Sequence, residues 1–152
     1  MRWLFALMLC VFLAGSTAFA TEGRVYKVLP EFLDTDGRAD ITPSLYDRDA
    51  YQAVLRRNPT KRGGLRYDIQ WKAKGSKSDQ LKLKLELRGV VQGELPKKLI
   101  LELPVKQRRW SSHWSSITLA GDEYKAFGDV TAWRVTLWDG DKQLSEQKSF
   151  LW

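Results

Sequence analysis

Residues 132–152 read AWRVTLWDGDKQLSEQKSFLW, and the alternation in this stretch decides the fold class. Trp133, Val135 and Leu137 alternate with Arg134 and Thr136, the period-2 pattern of a strand with one buried face. Asp139-Gly140 follows at once. Asp-Gly between two strand-like runs signals a hairpin, because glycine takes φ > 0 at no steric cost. The chain then runs back through Leu144 to Phe150, Leu151 and Trp152, and three large apolar residues there predict a last strand pinned inside a sheet. The register stays open. A two-residue Asp139-Gly140 turn sets Val135 opposite Leu144 and Trp133 opposite Glu146; a three-residue turn sets Arg134 opposite Glu146, and a bulge reconciles parts of both.

The facing strands lie upstream. Leu65, Tyr67, Ile69 and Trp71 alternate with Arg66, Asp68, Gln70 and Lys72, and Leu81, Leu83, Leu85 and Leu87 with Lys82, Lys84, Glu86 and Arg88. The second run is the cleanest one-face-buried strand in the chain. Residues 99–105 form the next, with Pro104 placing its end at an edge. Residues 115–119 form a shorter one, 24–29 a short first one, and 121–129 a cornering loop. One helix is expected at about 44–57. Ser44 caps it, Asp47 suits its positive end, Arg56 and Arg57 suit its last turn, and Pro59 stops it. Tyr51, Val54 and Leu55 give it a narrow apolar stripe.

Seven antiparallel strands suggest an all-β, immunoglobulin-like or fibronectin-III-like β-sandwich with one short N-terminal helix. A small closed barrel is the alternative. The expected division is a signal peptide at 1–20, an N-terminal extension with the helix at 21–64, and the sandwich core at 65–152.

Arg2, the apolar run Trp3 to Leu13 and the Ala18-Phe19-Ala20 pattern read as a secretory signal peptide cleaved after Ala20. The run is too short to span a bilayer comfortably, which takes about 20 residues. The expected location is secreted or periplasmic. Cleavage removes Cys10, the one cysteine, and with it any disulfide framework or thiol nucleophile. It also leaves 24 basic against 18 acidic residues, net +6. Residues 50–110 hold sixteen Lys or Arg against five Asp or Glu, whereas 31–49 hold six acidic against two basic residues. A basic excess admits an anionic partner, and equally admits cations that solvate strands and guard their edges.

The most unusual local composition is Gln107-Arg108-Arg109-Trp110-Ser111-Ser112-His113-Trp114. As a loop it places two indoles for stacking beside two guanidiniums for phosphate, sulfate or carboxylate. Lys106, Arg108, Arg109, Trp110, His113 and Trp114 are the candidate ligand-binding residues. His113, the only histidine, would need a nucleophile and an acid to build a hydrolase, for which Ser111, Ser112 and Asp122 are the sole suggestions. Asp34 to Asp40 resembles a calcium loop, but with Gly37 at the sixth position Phe32 and Pro43 fall where ligands belong, so it reads as a turn. No catalytic residue, metal or cofactor is expected. An outer-membrane barrel is disfavoured by the short strands and the helix. The reading is an exported, non-enzymatic binding or accessory module whose partner is a protein, met at a sheet edge or the helix, or an anionic polymer such as polysaccharide or nucleic acid.

Overall fold

A computed structural model describes residues 21–75, 80–91, 95–107 and 111–152; the expected signal segment lies outside them. In chain order the elements are β1 (Glu22–Asp34), α1 (Leu45–Arg57), a 3-10 turn (Pro59–Lys61), β2 (Arg62–Lys74), β3 (Leu81–Val90), β4 (Lys97–Pro104), β5 (His113–Ala120), α2 (Gly121–Phe127), β6 (Asp129–Asp139) and β7 (Lys142–Lys148). They form two antiparallel sheets, a three-stranded one in the order β1-β2-β5 and a four-stranded one in the order β4-β3-β6-β7.

The period-2 runs settle the layering. Leu65, Tyr67, Ile69 and Trp71 of β2 meet Leu81, Leu83, Leu85 and Leu87 of β3, with Val135 and Leu137 of β6, in one sandwich-like core. Ile69, Leu83, Leu85, Val135 and Leu137 are fully buried, each worth about 1.5–3 kcal/mol of apolar transfer. Tyr67 meets Trp133 edge-on at 6.2 Å, and the Trp71 indole N–H donates to Ser115 Oγ at 2.9 Å. Both aromatics with polar tips are thus buried without losing favourable ring or hydrogen-bond geometry.

The first strand is longer than its expected 24–29. It pairs with β2 from Glu22↔Lys74 to Asp34↔Arg62 and sends Val25 and Val28 into the core, so the expected extension contributes a sheet strand and the expected boundary at 65 falls inside β2. Alternation is weak in this stretch because Tyr26 is an extra residue, a bulge between Val25↔Trp71 and Lys27↔Gln70, which shifts the face of everything after it.

The final hairpin follows neither expected register. Asp139 pairs with Lys142, so Gly140 (φ 57°) and Asp141 make the two-residue turn. Past a bulge at Leu144, Leu137 pairs with Ser145 and Val135 with Gln147. Both bulges lie where the edges of the two sheets meet. There the Val25 N–H donates to Ser145 Oγ (3.0 Å), the Gln147 side-chain amide to Tyr26 O (3.3 Å) and Thr21 Oγ1 to Asp139 Oδ2 (2.6 Å). A Cβ on Gly23 would lie 2.8 Å from Leu144, so this seam closes only over a glycine.

Ser44 caps α1 as expected, accepting from the Asp47 N–H at 3.4 Å. The buried face differs from the expected stripe: Gln52 and Leu55 are buried and Val54 is 40% exposed. Gln52 is tolerated inside because its amide is fully used. It accepts from the Phe32 N–H (2.8 Å) and donates to Phe32 O (2.9 Å) and Ala39 O (2.7 Å), tying the helix to the end of β1 as a neighbouring strand would. Arg62 closes the other end, donating to the Leu55 and Arg56 carbonyls with its guanidinium 4.2 Å over the Phe32 ring. The expected cornering loop contains α2, whose Tyr124 and Phe127 face the core one turn apart.

Asp34, where β1 ends, organises the turn leading to α1. Its carboxylate accepts from the Asp36 and Arg38 backbone N–H groups (both 2.8 Å), Arg38 Nε (3.1 Å) and the Tyr51 hydroxyl (2.7 Å). Burial pushes its pKa up, but these donors outweigh burial and hold it at about 2, from 3.8. A carboxylate lowered on folding stabilises above its unfolded value and loses that contribution as pH falls through about 2. Urea unfolding at pH 5 and pH 2 should therefore show the parent losing ~2 kcal/mol more than Asp34→Asn over that interval; equal losses would refute the assignment.

Candidate binding surface

The residues singled out at 106–114 do not form one loop. Arg108, Arg109 and Trp110 lie outside the described residues. Lys106 is exposed beyond β4, and His113 and Trp114 belong to β5. Because successive side chains of a strand point to opposite faces, β5 separates these two. His113 is half-buried across from Trp71, the rings 5.4 Å apart and tilted. Trp114 pairs with Gln70 and is 51% exposed.

A different surface brings cations and indoles together. On β3 the residues that alternate with the buried leucines share the outer face of the four-stranded sheet with their cross-strand partners. Across this face Pro104, Lys82, Trp138 and Gln143 make one row; Glu102, Lys84, Thr136 and Glu146 the next; Ile100, Glu86, Arg134 and Lys148 a third; Lys98, Arg88 and Ala132 the last. Six cations thus stand against three carboxylates. Some are paired: Lys82 with Glu102 (3.1 Å), Arg134 with Glu86 (2.6 Å), and Lys148 with Glu146 (3.6 Å). Lys84, Arg88 and Lys98 form no salt bridge with any described residue.

Two indoles lie among them. Trp138 donates to Thr136 Oγ1 at 2.7 Å, with Lys84 Nζ 5.9 Å from its ring centroid. Trp152 takes the Arg88 guanidinium at 4.1 Å and that of Arg134 at 4.7 Å. Both distances are within reach of the ring quadrupole. The hydrogen bond from Arg134 keeps the Glu86 carboxyl below its ordinary pKa, so this carboxylate stays ionised amid the cations.

Trp152 also corrects the expectation for the last residues. β7 ends at Lys148, Phe150 is wholly exposed and Leu151 is 70% exposed. The strand is held instead by Ser149, whose N–H donates to Trp133 O (2.9 Å) while its hydroxyl accepts from the Trp133 N–H (3.0 Å). Lys82, Lys84 and Arg88 alternate along β3 with no aromatic between them; Trp138 reaches this face from β6, through a pairing the sequence does not show. Nothing local in the sequence marks Trp152, because a tertiary turn at Ser149 brings it there.

The outer face of the other sheet contrasts with this near α1. Arg66 pairs with Glu31 (2.7 Å) and Asp68 (3.1 Å), Arg48 with Glu31 (3.7 Å), and the Ser116 hydroxyl donates to Asp68 (2.6 Å). That sheet ends in β5, which pairs with β2 in unbroken register from Gly64↔Ala120 to Trp71↔His113. Its sequence HWSSITLA holds no Lys, Arg, Asp, Glu or Pro, so it lacks the usual guards of an edge strand.

Among the described residues no helix is long and apolar enough to cross a membrane. Compared with known proteins, the chain matches no family model, and no curated protein or solved structure is significantly similar to it.

Since Phe150 and Leu151 bury nothing and Trp152 rests on the sheet from outside, deleting Phe150 to Trp152 should leave cooperative unfolding intact. Thermal melts should place the midpoint within about 4 °C of the parent, the shift expected for a loss near 1 kcal/mol in a domain of this size. Loss of the transition would return these residues to the core.

Proposed function

We propose that the protein is an exported, non-enzymatic binding module of the immunoglobulin-like, fibronectin-III-like sandwich type. Its ligand is an anionic polymer taken on the outer face of the four-stranded sheet. The strand order supports the fold type: β1-β2-β5 against β4-β3-β6-β7 corresponds to strands A-B-E against C′-C-F-G of such sandwiches. The N-terminal twenty residues support export. Histidine, the side chain that most often serves as general acid or base, occurs once in 152 residues, which supports binding over catalysis.

The observation that carries the ligand class is the placement of Lys84, Arg88 and Lys98, which form no salt bridge with any described residue, beside Trp138 and Trp152. Such cations attract a polyanion and release its counterions, and flat rings among them add sequence-tolerant contact area. His113 and Trp114 belong to β5 of the other sheet, so they lie outside this platform.

Binding should weaken with salt. Titrations against polygalacturonate, heparin and single-stranded DNA should show a steep log–log dependence, made shallower by roughly one to two units in Lys84→Ala/Lys98→Ala. Trp138→Ala should cost ~1–3 kcal/mol of binding if a ligand ring stacks there. The melting midpoint of the lysine double variant should hardly move, since solvated charges add little stability. Absence of binding to all three at low salt refutes the anionic-ligand reading.

One observation favours a protein partner instead, the unguarded β5 edge, which suits addition of an extended segment. That mode predicts a complex indifferent to salt and to the lysine variants, and abolished by Thr118→Lys, a charge placed on the edge strand.

A further inference from the structure

A small hollow lies between β3, β4 and β6 on the outer face, walled by Glu86, Arg88, Lys98, Ile100, Arg134 and Trp152, with a volume of about 120 Å³. We infer that this hollow is the subsite for a single oxyanion of an acidic glycan, a uronate carboxylate or a sulfate ester, held by Arg88 and Lys98. The inference rests on reading this face as the ligand surface and narrows it to a place and a chemistry.

Three features argue for an anion there. Arg88 lines the hollow and forms no salt bridge with any described residue, which leaves its charge there unanswered by a carboxylate partner in direct contact. The Arg88 guanidinium lies 4.1 Å from the Trp152 ring centroid, a cation–π contact that holds it in place, and its planar donors suit a fork onto two oxygens. Lys98 stands directly across from Arg88 in the β3–β4 register, exposed and without a salt bridge to any described residue. Arg134 adds positive charge, but its Nε is held by Glu86 at 2.6 Å, so it steers an anion more than it binds one.

Two features favour a glycan over a nucleic acid strand. Glu86 is a carboxylate inside the hollow, kept ionised by Arg134. It repels carboxylate, sulfate and phosphate alike, but it accepts from sugar hydroxyls, which a glycan carries on every residue and a DNA strand lacks between its ends. The wall formed by Ile100, 52% exposed, is aliphatic, which suits the C–H face of a pyranose and offers a base no stacking partner.

The test is calorimetric titration with an oligogalacturonate, a sulfated heparin-type oligosaccharide and an oligodeoxythymidylate. The variants are Arg88→Lys, which keeps the charge and loses Nε, Lys98→Ala, and Lys27→Ala as a control on the other sheet. Arg88→Lys and Lys98→Ala should each weaken one or both glycans about tenfold, the loss of one charge-assisted contact. Lys27→Ala should change affinity less than about twofold, as expected of a charge beyond screening distance. Stronger loss for the carboxylated or the sulfated ligand identifies which acid the hollow takes. If Lys98→Ala has no effect while Lys84→Ala or Trp138→Ala weakens binding, the subsite is wrong and the face remains the ligand surface. If only the deoxythymidylate binds, the glycan is wrong. If nothing binds, both the subsite and the proposed function fall.

Discussion

The structure depends on one geometric constraint, the strict two-residue period of β3. Leu81, Leu83, Leu85 and Leu87 are each at most 1% exposed, and a one-residue slip of this central strand would turn all four to solvent. Burial therefore locks β3, and through its ladders β4 and β6, into a single register. The same lock composes the outer face without further cost. Once the leucines point inward, Lys82, Lys84, Glu86 and Arg88 must point outward, opposite Trp138, Thr136, Arg134 and Ala132 of β6. The basic-aromatic surface is fixed by the requirement that seals the core.

A two-sheet core exposes four edges, and each is treated differently. β4 carries Lys97, Lys98 and Pro104, the residues that discourage strand addition. β1 and β7 are turned toward each other by bulges at Tyr26 and Leu144, so their edge groups are spent on side chains across the seam. β5 alone keeps a flat, uncharged edge. Helix α1 is held to β1 and the following turn mainly by polar atoms, Gln52 and the Asp34 cluster, rather than by an apolar stripe. This attachment is sensitive to acid through Asp34.

What the sequence disclosed and what it withheld separate along physical lines. The four long alternating strands, the Ser44 cap and the helix stop at Pro59 were legible, because each is a local pattern with a local cause. The hairpin register was not, since Leu144 is an extra residue whose place is set by Gly23 and Leu137 on other strands. The apolar end of the chain suggested a buried strand from composition alone, but Ser149 stops the pairing and leaves Phe150 outside. Of the candidate site residues, His113 and Trp114 were grouped by adjacency, a grouping that a strand undoes by its pleat. That Trp138 stands beside Lys84 required the β3–β6 register.

The pairing of charges distinguishes the two outer faces more sharply than their numbers do. Arg66 is paired with both Glu31 and Asp68, which cancels the field around it locally. Leaving Lys84, Arg88 and Lys98 without a salt bridge to any described residue does the reverse. It costs the fold little, because Lys98 is solvated and the other two rest on indole faces, and it preserves a positive potential over one sheet. Trp152 then has a role that burial does not explain: a ring held outside the core by two guanidiniums orders cations that would otherwise sample many rotamers. Ordered cations lose less entropy when an anion arrives, which is the difference between a charged surface and a preorganised one.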